Sequence, residues 1–302
     1  MMNEHGTVCV LGGSGFVGSE LCNRLVSNGY SVKVLTRNDG KCRHLKVLPA
    51  LTVNTVDNYT ASAIAANASD CDILINLIGI LNEKGHTGKE FHDIHVGITR
   101  EALNACEQVG ITRMLHMSAL NADANGPSHY LRSKGKAENY LTTFSDNSID
   151  VTVFRPSVIF GEGDSFLNRF AQLLKIIPGV FPLACANAKF APVYVGDVAQ
   201  KFVDAIRDEQ CYNQTYELCG PNTYSLKELV QYTANISQRQ CKVISLPAVF
   251  SKLQATVFEY VPGKPFSIDN YNSLKVDSIC TSCASCTTSL LAIAPTYLQK
   301  PN

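Results

Sequence analysis

The chain has 302 residues, with 26 basic and 26 acidic side chains and a formal net charge of zero. That balance leaves no electrostatic footprint for nucleic acid and no polybasic signal for an anionic membrane surface. Hydrophobic residues at 45% and charged residues at 17% exclude a disordered chain, and the modest Gly and Pro content excludes collagen-like and low-complexity classes.

The length suggests two domains, or one with an appended lobe, and no internal period marks a repeat array. The first half alternates strand and helix. Thr7 to Leu11 is a short apolar run suited to a buried parallel strand. A glycine cluster follows, then a helix from Phe16 to Asn28 with Val17, Leu21 and Leu25 on one face and Gly29 as its stop. Further strands are expected at Ser31–Leu35, Leu51–Thr55, Asp72–Leu77, Arg113–Met117 and Asp150–Phe154. A long helix is expected over Lys89–Val109, closed by Gly110, and another over Tyr130–Thr143. Strands separated by helices imply right-handed crossovers, so the fold class is α/β, a doubly wound parallel Rossmann-type sheet with a smaller mixed C-terminal lobe. The expected division is 1–160 for the nucleotide-binding unit, with a returning segment near 190–207, and 161–302 for a smaller substrate or partner lobe.

Beyond Arg155 the pattern loosens. Ile176 to Leu183 is apolar but carries Pro178, Gly179 and Pro182, so a loop is expected. Capping boxes are expected at Asp197 with Gln200 and at Ser225 with Glu228. Pro247 to Tyr260 reads as an amphipathic helix. Its polar face has few basic residues, so packing on the core is expected in preference to lying on a membrane.

Twelve cysteines are scattered through expected strands and helices, among them Cys9, Cys22, Cys71 and Cys106. They read as reduced thiols, since disulfide frameworks belong to short secreted chains. The residues before the first strand carry Glu4 and His5 and lack the pattern of a signal peptide. The longest apolar run, Ile73 to Leu81, is interrupted by Asn76 and too short to span a bilayer. The expectation is a reduced, cytoplasmic protein, with peripheral attachment to the inner membrane through a partner left open.

Gly12, Gly15 and Gly18 recur at three-residue spacing within Gly12–Gly13–Ser14–Gly15–Phe16–Val17–Gly18. The first glycine suits a tight turn, the second admits a pyrophosphate, and the third lets helix pack on strand. The anion would sit on the helix N-terminus. The run follows a strand and opens an amphipathic helix, the context a dinucleotide loop requires. At the end of the second strand, Arg37 stands where a carboxylate would meet a free ribose 2′-hydroxyl. It favours NADP(H) over NAD(H); the other reading leaves Arg37 solvated and puts Asp39 on the ribose. Asp57 is a candidate for the adenine amino group, or a plain turn aspartate.

Ser118 ends the fifth strand, and Tyr130 and Lys134 lie four apart on one helix face. A neighbouring ammonium favours the phenolate and is expected to lower the tyrosine pKa. Ser118 would orient a carbonyl or alcohol, and Lys134 would also reach the nicotinamide ribose. With Arg155–Pro156–Ser157–Val158–Ile159–Phe160–Gly161, these residues resemble the short-chain dehydrogenase/reductase superfamily, in its extended or atypical, epimerase/dehydratase-like branch. Phe166–Phe170, Pro192–Val198 and Gly220–Pro221 make the chain similar to the nucleotide-binding accessory subunits of respiratory complex I and their bacterial relatives.

The resemblance covers Val8 to about Leu229. It implies a seven-stranded core, bound NADP(H), and cofactor contacts from Gly12, Ser14, Gly15, Phe16, Val17, Gly18, Leu77, Gly79, Pro156 and Val158. It does not imply one reaction. An oxidoreductase acting on a small apolar carbonyl or alcohol, quinone-, isoprenoid- or acyl-like, is expected first. A cofactor-stabilised accessory subunit of a respiratory complex is the alternative, and an epimerase or dehydratase a third. Leu77–Leu81 and Ile176–Leu183 suggest an apolar mouth. His95 falls where many catalytic relatives carry an Asn, and reads as a packed histidine. No metal is expected: Cys280, Cys283 and Cys286 lack a fourth ligand, and His86, His92 and His95 fit no common metal spacing.

Overall fold

Val8 and Val10 face one way along their strand, and Cys9 and Leu11 the other. All four are fully buried, so this strand must lie in a sheet covered on both faces. The computed structural model, which describes residues 5–145, 148–177, 179–261, 264, 266–281 and 284–299, places it there.

Six strands come from the first half: β1 (Thr7–Leu11), β2 (Ser31–Thr36), β3 (Leu51–Thr55), β4 (Ile73–Asn76), β5 (Arg113–Met117) and β6 (Asp150–Pro156). The second half adds β7 (Ile159–Phe160), β8 (Gly179–Leu183), β9 (Lys189–Phe190), β10 (Val193–Tyr194), β11 (Thr215–Cys219), β12 (Tyr224–Ser225), β13 (Cys241–Ser245) and β14 (Ala284–Ser285). The main sheet is parallel, in the order β14-β11-β6-β5-β4-β1-β2-β3. Chain order reverses between β1 and β4, which is where open α/β sheets form a crevice beyond the strand ends. The sheet is wider than the sequence suggests, because β11 pairs with β6 and β14 with β11.

The helices are α1 (Phe16–Ser27), α2 (Ala61–Ala68), α3 (Lys89–His92), α4 (Ile98–Val109), α5 (His129–Phe144), α6 (Leu167–Ile176), α7 (Val195–Ala205), α8 (Leu226–Ile236), α9 (Ala248–Phe258), α10 (Ile268–Ser273) and α11 (Leu290–Leu298). On one sheet face Leu21 and Leu25 of α1 pack with Val198 and Phe202 of α7. On the other, Ile64 of α2 packs with Leu103 and Cys106 of α4. A third apolar cluster joins Phe160, Leu174, Phe181, Leu229, Val230 and Tyr297.

Several expectations need correction. The helix expected over Lys89–Val109 is broken by a π-turn at Asp93–Gly97. Within Ile176–Leu183, where a loop is expected, α6 runs to Ile176 and Gly179–Leu183 is β8, paired in parallel with β13 with Ile244 opposite Pro182; Pro178 lies outside the described residues. A two-stranded ribbon accepts a proline that a central strand would reject. Asp197 caps no helix; it lies in the first turn of α7 and accepts from the Thr288 hydroxyl at 2.7 Å and N–H at 3.0 Å. Ser225 and Glu228 do form a capping box. Cys219 and Cys280 are joined in a disulfide, so not every cysteine is a free thiol. Of the other two cysteines in that run, Cys286 is buried and Cys283 lies outside the described residues. The apolar side of α9 faces solvent, not the core.

Candidate active site

The crevice is built by the loops that leave β1, β4 and β5. After Leu11 the chain turns at Gly12 with φ of 84°, a conformation that L side chains rarely adopt. A Cβ at Gly12 would stand 3.1 Å from the Leu77 carbonyl carbon and 3.2 Å from the Ile78 nitrogen, so the loops after β1 and β4 touch. A Cβ at Gly18 would stand 2.3 Å from the Gly12 oxygen, so α1 presses directly onto the turn. Gly15 has only that oxygen nearby, at 3.3 Å, and heads α1, whose first N–H groups have no helical partner. Gly13 is a requirement the sequence reading missed: its Cβ would lie 2.8 Å from both Val34 methyls. Ser14 and Phe16 are half-buried beside it, and Val17 is buried.

At the end of β2 the Thr36 hydroxyl accepts from the Asn38 N–H at 3.1 Å. Arg37 is exposed, its guanidinium 5.8 Å from the Tyr59 ring centre. Asp39 pairs with Lys46 at 2.7 Å. Asp57 is exposed beyond β3.

Ser118 follows β5. Its N–H donates to the Phe154 oxygen at 2.7 Å, and its hydroxyl is buried without a hydrogen-bond partner. The helix α5 carries Tyr130 and Lys134. Ser128 caps it, accepting from the Leu131 N–H at 3.1 Å. Asp269, from α10, accepts from the N–H groups of His129 and Tyr130 at 2.6 and 3.1 Å. Gly135 lets α5 sit close, since a Cβ there would lie 2.3 Å from the Ala124 nitrogen. Arg155 on β6 forks onto Glu138 of α5, its Nε 3.0 and 3.1 Å from the two carboxylate oxygens.

Lys134 is buried and donates to the Met117 oxygen at 3.0 Å, one residue before Ser118. Burial pulls its pKa down to about 8. A Cβ at Gly79 would be 3.3 Å from Lys134 Nζ and 3.4 Å from His95 Nε2, so the loop after β4 closes over both. Tyr130 sets its ring edge-on to His95 and Phe91, with centroids 5.6 and 5.9 Å away. Burial, and then the Asp269 charge, push the Tyr130 phenol up to about 12. The expected lowering is therefore reversed. The ammonium is engaged with the Met117 carbonyl, and desolvation of the phenol dominates.

His95 is a packed, satisfied histidine. Nε2 accepts from the Ile80 N–H at 3.0 Å, so Nδ1 carries the proton and donates to Ser133 Oγ at 2.7 Å. That hydroxyl donates to the Tyr130 carbonyl oxygen at 2.8 Å. Burial, with Lys134 adding, pulls the His95 pKa down to about 2. His86 pairs instead with Glu259 at 2.7 Å, so the three histidines diverge.

The structure thus gathers Gly12, Leu77, Gly79, Ser118, Tyr130 and Lys134 at neighbouring strand ends. Pro156 joins them through its carbonyl, which accepts from the Leu120 N–H at 2.9 Å. Val158 packs toward the third apolar cluster, and Arg37 and Asp57 lie past the β2 and β3 ends. Beside α5 is a cleft of about 310 Å³ lined by Asn82, Glu83, His86, Phe91, His129 and Asp269 among others. Its lining includes neither Leu77–Leu81 nor Ile176–Leu183, of which Leu81, Ile176 and Val180 are exposed elsewhere on the surface. Lys264 fastens the loop above it, donating to the carbonyls of Glu83, Lys84 and Gly85 at 3.0, 3.1 and 2.9 Å.

The glycine cradle at a helix N-terminus and the unpartnered Ser118 hydroxyl fit a dinucleotide and a reacting oxygen. Residues 8–219 match the NAD dependent epimerase/dehydratase family, and the chain belongs to that family. It is 31% identical over 264 residues to the mouse mitochondrial NADH dehydrogenase (ubiquinone) 1 alpha subcomplex subunit 9, covering 85% of this chain and 68% of that protein. It is 26% identical over 245 residues to the ceramide reductase of Caulobacter vibrioides, covering 81% and 75%. The fold is that of UDP-glucuronic acid 4-epimerase from Bacillus cereus, solved with UDP-glucuronic acid and NAD, at a TM-score of 0.69, 16% identity and 98% and 94% coverage. No helix among the described residues is long and apolar enough to cross a membrane.

Proposed function

We propose that the chain is an NADP(H)-dependent oxidoreductase that reduces a carbonyl compound at the ends of β1, β4 and β5. The carrying observation is the buried, unpartnered Ser118 hydroxyl, one residue after the Met117 carbonyl that holds Lys134, with Tyr130 a turn before Lys134 on α5. In this reading Gly12, Ser14, Gly15, Phe16, Val17 and Gly18 hold the pyrophosphate, Arg37 the 2′-phosphate and Asp57 the adenine. Leu77, Gly79, Pro156 and Val158 line the nicotinamide side. The pairing of Asp39 with Lys46 and the exposure of Arg37 support Arg37 over Asp39 for this role.

The cofactor would supply a hydride to the carbonyl carbon. Ser118 donates a hydrogen bond to the carbonyl oxygen and fixes it. Tyr130 then gives that oxygen its proton, completing the alcohol. A phenol near 12 is protonated at neutral pH, so Tyr130 stands in the form that donates. Lys134 would hold the nicotinamide ribose, and its ammonium would offset the phenolate left on Tyr130 until solvent returns the proton. The substrate is an apolar, quinone-, isoprenoid- or acyl-like carbonyl with a hydrogen-bonding head, which the polar cleft would receive. Kinship with a ceramide reductase supports that class. The division at about residue 160, with 190–207 returning to the sheet, goes with this reading, as the third apolar cluster starts at Phe160.

The test is Tyr130→Phe, which keeps the ring. NADPH affinity should stay nearly unchanged while turnover falls by about 10²–10⁴-fold. Arg37→Ala should weaken NADPH by roughly 10- to 100-fold and leave NADH untouched. Turnover that survives Tyr130→Phe would sink the assignment.

The kinship with alpha subcomplex subunit 9, and the engagement of Lys134 with Met117 in place of the phenol, favour a second reading. There the nucleotide stabilises an accessory subunit of a respiratory complex, peripheral to its membrane. A panel of quinone, isoprenoid and acyl carbonyls would then show no NADPH oxidation, while NADPH still raised the melting temperature.

A further inference from the structure

The helix α9 is turned the wrong way for a core helix. Ser251 and Ala255 are its buried residues, while Val249, Phe250, Leu253 and Val257 are 78, 56, 56 and 55% exposed. At about 100° per residue these four fall in one arc about 100° wide, opposite the buried pair. Gln254 holds that orientation: its Nε2 donates to the Pro182 oxygen at 3.1 Å and its Oε1 accepts from the Ala184 N–H at 3.2 Å. Tyr260 and Val261 continue the exposed stripe past the helix end. The strand leading in, β13, exposes Lys242 and Ile244.

The two stretches of chain before and into this stripe are one-sided in charge, and the nearby acidic side chains Glu83, Glu259 and Asp269 line the cleft at its end. Across 165–196 and 229–258 the chain carries Arg169, Lys175, Lys189, Arg239, Lys242 and Lys252 and not one Asp or Glu. Elsewhere the acidic side chains exceed the basic ones, since the whole chain is neutral. Of the six cations, all but Arg169 are exposed. Lys252 lies on α9 itself, beside the apolar arc.

We propose that α9 docks on an anionic bilayer surface, with Val249, Phe250, Leu253 and Val257 entering the headgroup–acyl boundary and Lys242 and Lys252 meeting the lipid charge. An apolar helical stripe flanked by cations, with a tyrosine at its end, is the composition that binds in the plane of an anionic interface. A protein partner would be expected to find carboxylates to pair with; the arc from Val249 to Val257 carries none, and Glu259 at its end is turned onto His86. The docking face ends at the polar cleft. Glu259 holds His86, Tyr260 lies 5.9 Å from the His86 ring, and all three line that cleft. The cleft would therefore open where a lipid-borne substrate arrives, a consequence that rests on the proposed reductase activity; the docking itself does not.

The chain has no tryptophan, so Phe250→Trp installs its sole tryptophan in the stripe, excited apart from the tyrosines, without removing apolar surface. Full-length protein is mixed with vesicles of phosphatidylcholine alone and of phosphatidylcholine with phosphatidylglycerol. The emission should shift to the blue with the mixed vesicles only, and salt should reverse it. In co-sedimentation the Phe250→Ser, Leu253→Ser variant should lose on the order of tenfold in partitioning, while keeping the NADPH-dependent rise in melting temperature. An unshifted emission with the mixed vesicles overturns the proposal, and so does undiminished sedimentation of a folded double variant. A dimer in solution that the double variant converts to monomer overturns it too, since a second copy would then cover the face.

Discussion

His95 and His116 are both buried, and both are pulled far below the ordinary histidine range, to about 2 and about 3, by burial first and the Lys134 charge second. Histidines in an unfolded chain take up protons near 6.5. Between those values the unfolded chain binds more protons, so stability must fall as pH drops through 6.5. Each histidine removes up to about 1.4 kcal/mol per pH unit below that point. Urea unfolding at about pH 7 and pH 5 should therefore show a lower midpoint in acid, and His116→Asn should flatten the difference. A midpoint that stays level over that range would mean these rings are not buried neutral. His95, read from the sequence as a packed histidine, is one: it is buried with both ring nitrogens engaged. Asp269 was not legible. It meets Tyr130 across 139 residues, and nothing local to either residue signals the pairing. The direction of the Tyr130 shift was misread for the same reason, since a helical wheel shows a lysine nearby but not where its ammonium is engaged.

The glycine loop and α1 separate two roles that one sequence motif merges. A Cβ at Gly18 would strike backbone at 2.3 Å, whereas one at Gly15 meets a single oxygen at 3.3 Å. Gly18→Ala should lower the melting temperature of the free protein, with an overpacking loss of about 1–3 kcal/mol. Gly15→Ala should leave that temperature nearly unchanged and erase the gain from NADPH, which is about 2.7 kcal/mol at a hundred times the dissociation constant. Calorimetry with and without NADPH decides; a gain that survives Gly15→Ala would place the nucleotide elsewhere. Elements such as β1 and β4 were readable because central parallel strands are short, continuous apolar runs. The strand β8 was not, since its glycine and Pro182 read as punctuation. The strand β11 escaped notice because Glu217 and Thr215 dilute its apolar character. The π-turn at Asp93–Gly97 has no sequence mark distinguishing it from helix, yet it turns His95 inward.

For the whole molecule, the parallel order of the sheet followed from alternation of strand and helix, but its width did not, because β11 and β14 come from the second half. The Cys219–Cys280 bond anchors that second half. It closes 61 residues from β11 to a segment that also binds Ser157, Lys189 and Asn121. A loop of that length contributes about 4 kcal/mol in the chain-entropy account. Reductant should lower the melting temperature of the wild type and leave Cys280→Ser unaffected; equal responses would mean that the bond does not form. A different tie has a consequence in time. The Asp164 carboxylate gathers the N–H groups of Phe166, Leu167 and Asn168 and the hydroxyl of Tyr297, which follows it by 133 residues. At roughly 5–20 residues per second of synthesis, Tyr297 is made about 7–27 s after Asp164. During that interval the nascent chain already holds the strands of the nucleotide crevice, while the third apolar cluster lacks Tyr297 and stays open to water. A ribosome-bound chain of this protein should thus acquire its nucleotide site well before its C-terminal lobe closes, and should attract hydrophobic-binding chaperones in the meantime.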